Sequence, residues 1–217
     1  IWEVTDPVNV KVQQETLIVS TLTFNLNSDS LREFIAFNGS FYFTPTAVGS
    51  VLNQNLHGLT QAGTKQTDMI IVTHASFWDE ANRLANLHKD DNMDVKVVLV
   101  NQIYNEFSSG AQDVSAIRDF MKMLYDRAGT DTSFMPKYLL LFGDGSYDNK
   151  DRIAGNTNFI PTYQSANSYS PTASYVSDDF YGLLDDNEGE WANDLVDIGI
   201  GRLPVQSLTE AVTAVDK

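Results

Sequence analysis

Lys137-Tyr-Leu-Leu-Leu-Phe142 runs directly into Gly143-Asp-Gly-Ser146. A short apolar run with no alternating polar position is the pattern of a strand buried on both faces, and the glycines behind it predict a tight turn. Two further runs share the pattern, Asp68-Met-Ile-Ile-Val-Thr73 and Asp94-Val-Lys-Val-Val-Leu-Val100. Between these two, residues 77–89 place Phe77, Ala81, Leu84 and Leu87 at helical spacing. Before the third, Asp113 can cap a helix over Val114 to Arg127, with Ile117, Phe120, Met121 and Leu124 on one side and Gly129 at its end. Doubly buried strands alternating with helices predict βαβ crossovers. The fold class expected is therefore α/β, a mostly parallel sheet with flanking helices over residues 67–217.

Residues 1–66 read differently. Glu15 to Ser20, Thr21 to Asn25, Leu31 to Phe37 and Ser40 to Phe43 cluster β-branched and aromatic residues between polar turns, which predicts a small β-rich module. On the other side of the deciding strand, residues 143–175 are dense in Asn, Ser, Thr, Tyr and Pro, a loop too long for an ordinary connector. A strand is expected near Asp179-Phe-Tyr181, then an acidic loop, Asp185-Asp-Asn-Glu-Gly-Glu190, and a strand Val196 to Gly201. Ser207-Leu-Thr-Glu210 has capping-box spacing and opens a final helix.

The chain of 217 residues carries 14 Lys+Arg against 29 Asp+Glu, a formal net charge of −15. Phosphate recognition needs clustered cations, so nucleic acid is excluded as a partner. No cysteine is present, which removes disulfides, thiolate zinc sites and a cysteine nucleophile within these residues. No apolar run approaches the roughly 18 residues of a membrane span. A start at Ile1 and a stop at Lys217 within an expected helix suggest a piece of a longer polypeptide.

Ligands of open parallel sheets gather at the carboxyl ends of the strands, which makes Asp144 the first candidate functional residue. The alternative is a turn-capping aspartate. Asp185, Asp186, Asn187, Glu188 and Glu190, with Asp197 in the next strand, form a second group, and carboxylates this dense favour a hard divalent cation or a solvated loop. Neither acidic segment completes an EF-hand loop. The Gly-x-Ser-x-Gly elbow is missing, and Gly143-Asp-Gly-Ser146 leaves a serine hydrolase acting through Ser146 only as a distant alternative. His57, His74 and His88 lack metal-site spacing, and His74 at a strand end reads as a packed histidine.

Several segments taken in order resemble the gingipain-type cysteine peptidases, and within them the PorU-like sortase branch of type IX secretion in Bacteroidetes. They are Trp2 to Pro7, Asp68 to His74, Gln102 to Gly110, Ala116 to Met121, Tyr138 to Asp144, Ser177 to Gly182 and Ile198 to Leu203. The resemblance implies a caspase-like first subdomain from about residue 67, with the catalytic histidine and cysteine in a second subdomain beyond Lys217. His74 does not match the family's catalytic histidine. It also implies a calcium site, for which the matching positions are Asp144, the acidic loop through Asp185, Asp186 and Glu188, and Asp197, all expected at one sheet edge. The parent is then a secreted or outer-membrane-attached endopeptidase or sortase of a Gram-negative bacterium. It would act on protein or peptide substrates through the downstream subdomain, alongside secretion-system components. The competing expectation is a non-catalytic peptidase-like scaffold or binding module of that machinery.

Overall fold

The computed structural model describes residues 1–217 apart from 14, 28, 41, 48, 52, 168 and 190–193. Two compact units divide the chain, Ile1–Leu52 and Asn53–Lys217.

The first unit is made of short antiparallel pieces. Strands β1 (Trp2–Glu3), β2 (Lys11–Val12) and β5 (Phe34–Ile35) form one sheet in the order β2-β1-β5, while β3 (Thr16–Ile18) and β4 (Thr21–Thr23) form a separate hairpin. The β-rich character expected here is present, with shorter strands than the sequence suggested. Phe41, inside the expected strand Ser40 to Phe43, lies outside the described residues. The side chain of Trp2 meets Phe37 edge-on at 5.0 Å, yet both remain partly exposed. Two- and three-residue strands bury too little area for a continuous core.

The second unit is built on a four-stranded parallel sheet. Its elements are β6 (Met69–Thr73), helix α1 (Trp78–Asp90), β7 (Val95–Leu99), α2 (Val100–Phe107), α3 (Val114–Ala128), β8 (Tyr138–Phe142), the hairpin β9 (Tyr163–Gln164) and β10 (Val176–Ser177), β11 (Gly199–Leu203) and α4 (Leu208–Val215). The order across the sheet is β11-β8-β6-β7, and all three pairings are parallel. Side chains alternate between two cores, as a pleat requires. Ile70, Val72, Leu139 and Leu141 pack with Ile117, Phe120, Met121 and Leu124 of α3 on one face. Met69, Ile71, Val97 and Phe142 pack with Ala81 and Ala85 of α1 and Ala211 and Val215 of α4 on the other.

Caps fall where short polar side chains stand at helix starts. The Asp113 carboxylate accepts the Ser115 N–H at 2.8 Å, and Gly129 closes α3 at φ +64°. The Ser207 hydroxyl accepts the Glu210 N–H at 3.3 Å to open α4.

Three expectations need correction. Asp179–Gly182 is a single 3-10 turn rather than a strand, since Phe180 and Tyr181 both turn inward. The last strand lies at Gly199–Leu203, displaced from Val196 to Gly201 by its register with β8. Residues 53–66, read with the β-rich module, belong to the α/β unit. There the Glu106 carboxylate accepts N–H groups of Leu56 and His57, and Arg127 donates to the Thr60 carbonyl at 2.7 Å.

Candidate functional site

The strand order reverses at the pair β6 and β8: the chain moves outward from β6 to β7, then returns to the other side of β6 as β8. Such a switch point opens a crevice beyond the carboxyl ends of the two strands. Thr73 and Phe142 end these strands side by side, and the Thr73 hydroxyl donates to the Phe142 carbonyl at 3.2 Å. His74 and the Gly143-Asp144 corner follow immediately.

Gly143 holds a φ of +154°, and a Cβ there would stand 3.1 Å from both Phe159 Cβ and Ile160 Cγ1, so the corner needs glycine. The Gly143 and Asp144 N–H groups donate to the carbonyls of Leu203 and Val205, and the Asp144 carbonyl accepts the Ile160 N–H. Its carboxylate is likewise committed. Oδ2 accepts the Thr157 hydroxyl at 2.6 Å and the Gln206 amide at 2.8 Å, which ties the loop after β8 to itself and to the loop after β11.

Arg202, on β11, sets this corner from below. Its Nε and Nη2 donate to the two oxygens of Asp178 at 2.7 Å each, Nη1 donates to the Gly143 and Ile160 carbonyls at 2.9 and 2.8 Å, and Nη2 also reaches the Pro161 carbonyl at 3.1 Å. All five guanidinium N–H donors are thereby used.

His74 caps the 3-10 turn Ala75–Phe77, with its Nδ1 accepting the Ser76 N–H at 3.2 Å. Burial lowers the basicity of this ring, so the neutral form with the proton on Nε2 is favoured. The ring lies 5.0 Å from that of Phe159. The Ser146 hydroxyl accepts the Asp148 N–H at 3.1 Å, and among the described residues no histidine hydrogen-bonds it.

The five carboxylates expected at one edge are not brought together. Because β8 and β11 run parallel with Gly199 opposite Tyr138 and Leu203 opposite Phe142, Asp197 lies at the amino end of the sheet and Asp144 at the carboxyl end. A strand length of roughly 17 Å or more therefore separates them, and a single ion cannot take both. Asp186 pairs with Lys122 at 3.0 Å, and the Glu188 carboxylate folds back to accept the Asp185 N–H at 3.2 Å. Glu190 lies outside the described residues. Among the described residues no three His, Asp or Glu side chains gather around a point that could hold a metal.

Asp185 and Asp197 do converge. Their Oδ1 atoms stand 3.1 and 3.4 Å from the Tyr125 hydroxyl, whose single proton can serve only one of them at a time. Burial, the adjacent carboxylates and their hydrogen bonds push this phenol up to about 12. Two carboxylate oxygens are at most two of the roughly six to eight oxygens a calcium shell needs, and among the described residues Asp185 and Asp197 are the ones that could contribute to one.

The sequence model of peptidase family C25 matches residues 63–217, most of the chain and all of the parallel sheet. The chain belongs to peptidase family C25. Among solved structures, dimeric latent PorU from Porphyromonas gingivalis matches this C25 chain at 38% sequence identity and a TM-score of 0.67, over 78% of this chain. The chain spans 16% of that PorU chain. A search of curated proteins gave no match. In this C25 unit, the sequence singled out Asp144 but not the side chains that anchor it. Arg202 carried a readable signal, a lone arginine in an otherwise apolar Gly-rich strand, whereas Thr157 and Gln206 carried none.

Proposed function

We propose that these residues form the non-nucleophilic half of a C25 cysteine endopeptidase or sortase, and that the crevice beyond β6 and β8 supplies one wall of its substrate cleft. The observation that carries the reading is the switch point itself: within the matched family segment, Gly143, Asp144 and His74 follow the carboxyl ends of β8 and β6, with the Gly143 carbonyl held by Arg202. With no cysteine among the 217 residues, the thiol of a C25 reaction has to come from another part of the polypeptide. Attack of a thiolate on a peptide carbonyl would give an acyl-thioester, which passes to water in an endopeptidase or to an amine in a sortase. This half's part in that reaction is to hold the corner and the cleft wall rigid.

A calcium ion, where bound, would sit at Asp185 and Asp197 and tie the acidic loop to the segment that leads into β11, remote from the crevice. A place at the cell surface or outside the cell, with secretion components as partners, completes the proposal.

The test is an assay of the full-length polypeptide on a dye-labelled peptide with and without an added amine. Cleavage or aminolysis that is abolished by thiol alkylation supports the reading. Absence of any thiol-dependent turnover in the intact polypeptide favours a binding scaffold instead.

A further inference from the structure

A turn in the β-rich unit carries chemistry that the proposed function leaves without a role. Asn38-Gly39 is the one Asn-Gly pair in the chain, and it stands exposed shortly after β5. An asparagine followed by glycine can lose its side-chain amide, because the glycine nitrogen can close on the side-chain carbonyl carbon to make an unstrained five-membered ring. The sequence makes the pair eligible, and three features of the turn favour the reaction.

The first is the direction of the Asn38 side chain. Its Oδ1 accepts the Ser40 N–H at 3.0 Å, an Asx turn that folds the amide back over the Gly39 peptide unit. A donor held on that oxygen polarises the carbonyl and stabilises the negative charge that gathers there as a nucleophile adds. The second feature is the nucleophile. Among the described residues the Gly39 N–H makes no hydrogen bond, so solvent can take its proton. Gly39 also sits at φ +80°, a conformation that suits glycine, and no side chain screens its nitrogen. The third is the leaving group: among the described residues the Asn38 Nδ2 is held by no hydrogen bond.

We propose that Asn38 is a self-modification site, converted by its own backbone with water as the co-reactant. The Gly39 nitrogen bonds to Asn38 Cγ and gives its proton to solvent, the Cγ–Nδ2 bond breaks, and the amide leaves as ammonia with a proton drawn from water. The succinimide so formed adds one water at either carbonyl and opens to aspartate or isoaspartate, with no oxidation or reduction. Either product adds a negative charge to a chain already at −15. Isoaspartate also lengthens the main chain by one carbon at the turn where the Phe37 and Tyr42 rings meet at 5.8 Å.

The test incubates the full-length polypeptide in mildly alkaline buffer made with heavy-oxygen water and follows each asparagine by peptide mass spectrometry, with an isoaspartyl methyltransferase to detect isoaspartate. Asn38 should convert about tenfold faster than Asn27 and Asn167, exposed asparagines each followed by serine, a difference of ~1.4 kcal/mol in barrier. Its product peptides should carry one heavy oxygen and include isoaspartate. Ser40→Pro keeps the Asn-Gly pair but removes the N–H that holds Oδ1, and should slow conversion about fivefold, the worth of one hydrogen bond. Wild type should convert faster folded than in urea, a comparison that needs no variant. Conversion of Asn38 no faster than that of Asn27 and Asn167, an unchanged rate in Ser40→Pro, or a faster rate in urea overturns the proposal.

Discussion

Removing the Arg202 guanidinium should cost the α/β unit more than any other single surface-to-core change, and the amount follows from its partners. The side chain is 13% exposed and that of Asp178 is 25% exposed, so both ends of the ion pair are largely withdrawn from water. Substitution by Met leaves the Asp178 carboxylate without its cation and the carbonyls of Gly143, Ile160 and Pro161 without those N–H donors. Adding up five bonds one by one overstates the loss, because the exposed fraction of each group rehydrates. The cost of breaking a buried ion pair, about 3–5 kcal/mol, is the better guide. For a unit of this size about 2–4 °C is lost per kcal/mol, so Arg202→Met should lower the melting temperature by roughly 6–20 °C. Arg202→Lys keeps the charge but loses the fork and should fall between. The double variant Arg202→Met with Asp178→Leu leaves no orphaned charge and should be at least about 1 kcal/mol more stable than the sum of the single changes. Thermal and urea unfolding by circular dichroism measure all three. A shift under about 2 °C for Arg202→Met, or strict additivity of the double variant, would refute this reasoning.

Other predictions follow the same logic. Burial alone would raise the Glu106 carboxyl, but N–H groups of Leu56 and His57, the His57 ring and the Gln54 amide outweigh it and hold the group at about 2, against an ordinary 4.5. A depressed folded-state value adds stability that is complete above pH 4.5 and is lost as pH falls toward 2. The melting-temperature gap between wild type and Glu106→Gln should therefore shrink across that window, and a constant gap would contradict the assignment. Asp144→Ala frees Thr157 and Gln206 and should cost about 1–3 kcal/mol in urea unfolding, with faster amide exchange at Ile160; unchanged exchange there would show that the corner holds without it. Millimolar calcium should raise the melting temperature of wild type and of Asp144→Asn but not of Asp197→Asn. Loss of the calcium response in Asp144→Asn would contradict the separation of the two carboxylates.

The α/β fold was legible because its strands are buried on both faces and its helices carry Asp113, Gly129 and Ser207 at their ends, which are local signals. Helix α2 escaped the sequence reading. Val100 continues the apolar run of β7 with no turn residue between, and the start is marked only by Gln102 reaching back to accept the Leu99 N–H at 3.2 Å. The 3-10 turn Asp179–Gly182 was read as a strand because Phe and Tyr favour both states, and long-range burial of Tyr181 against the Pro161 carbonyl decided between them. The supposed single acidic site failed for a topological reason. Nearness in sequence to a sheet strand does not tell which end of the sheet a residue occupies, and Asp144 follows its strand while Asp197 precedes one. Arg202 was in view as part of Ile198 to Leu203, but its partners come from both ends of the loop after β8 and from Asp178 beyond β10, which no spacing rule connects.

The most direct test of the central claim is to label the full-length polypeptide with a peptidyl epoxide that alkylates activated thiols and to locate the adduct by mass spectrometry. The account predicts one modified cysteine outside residues 1–217, with peptide turnover lost in step with labelling. Turnover that survives complete alkylation, or an adduct on a residue within this chain such as Ser146, would contradict it.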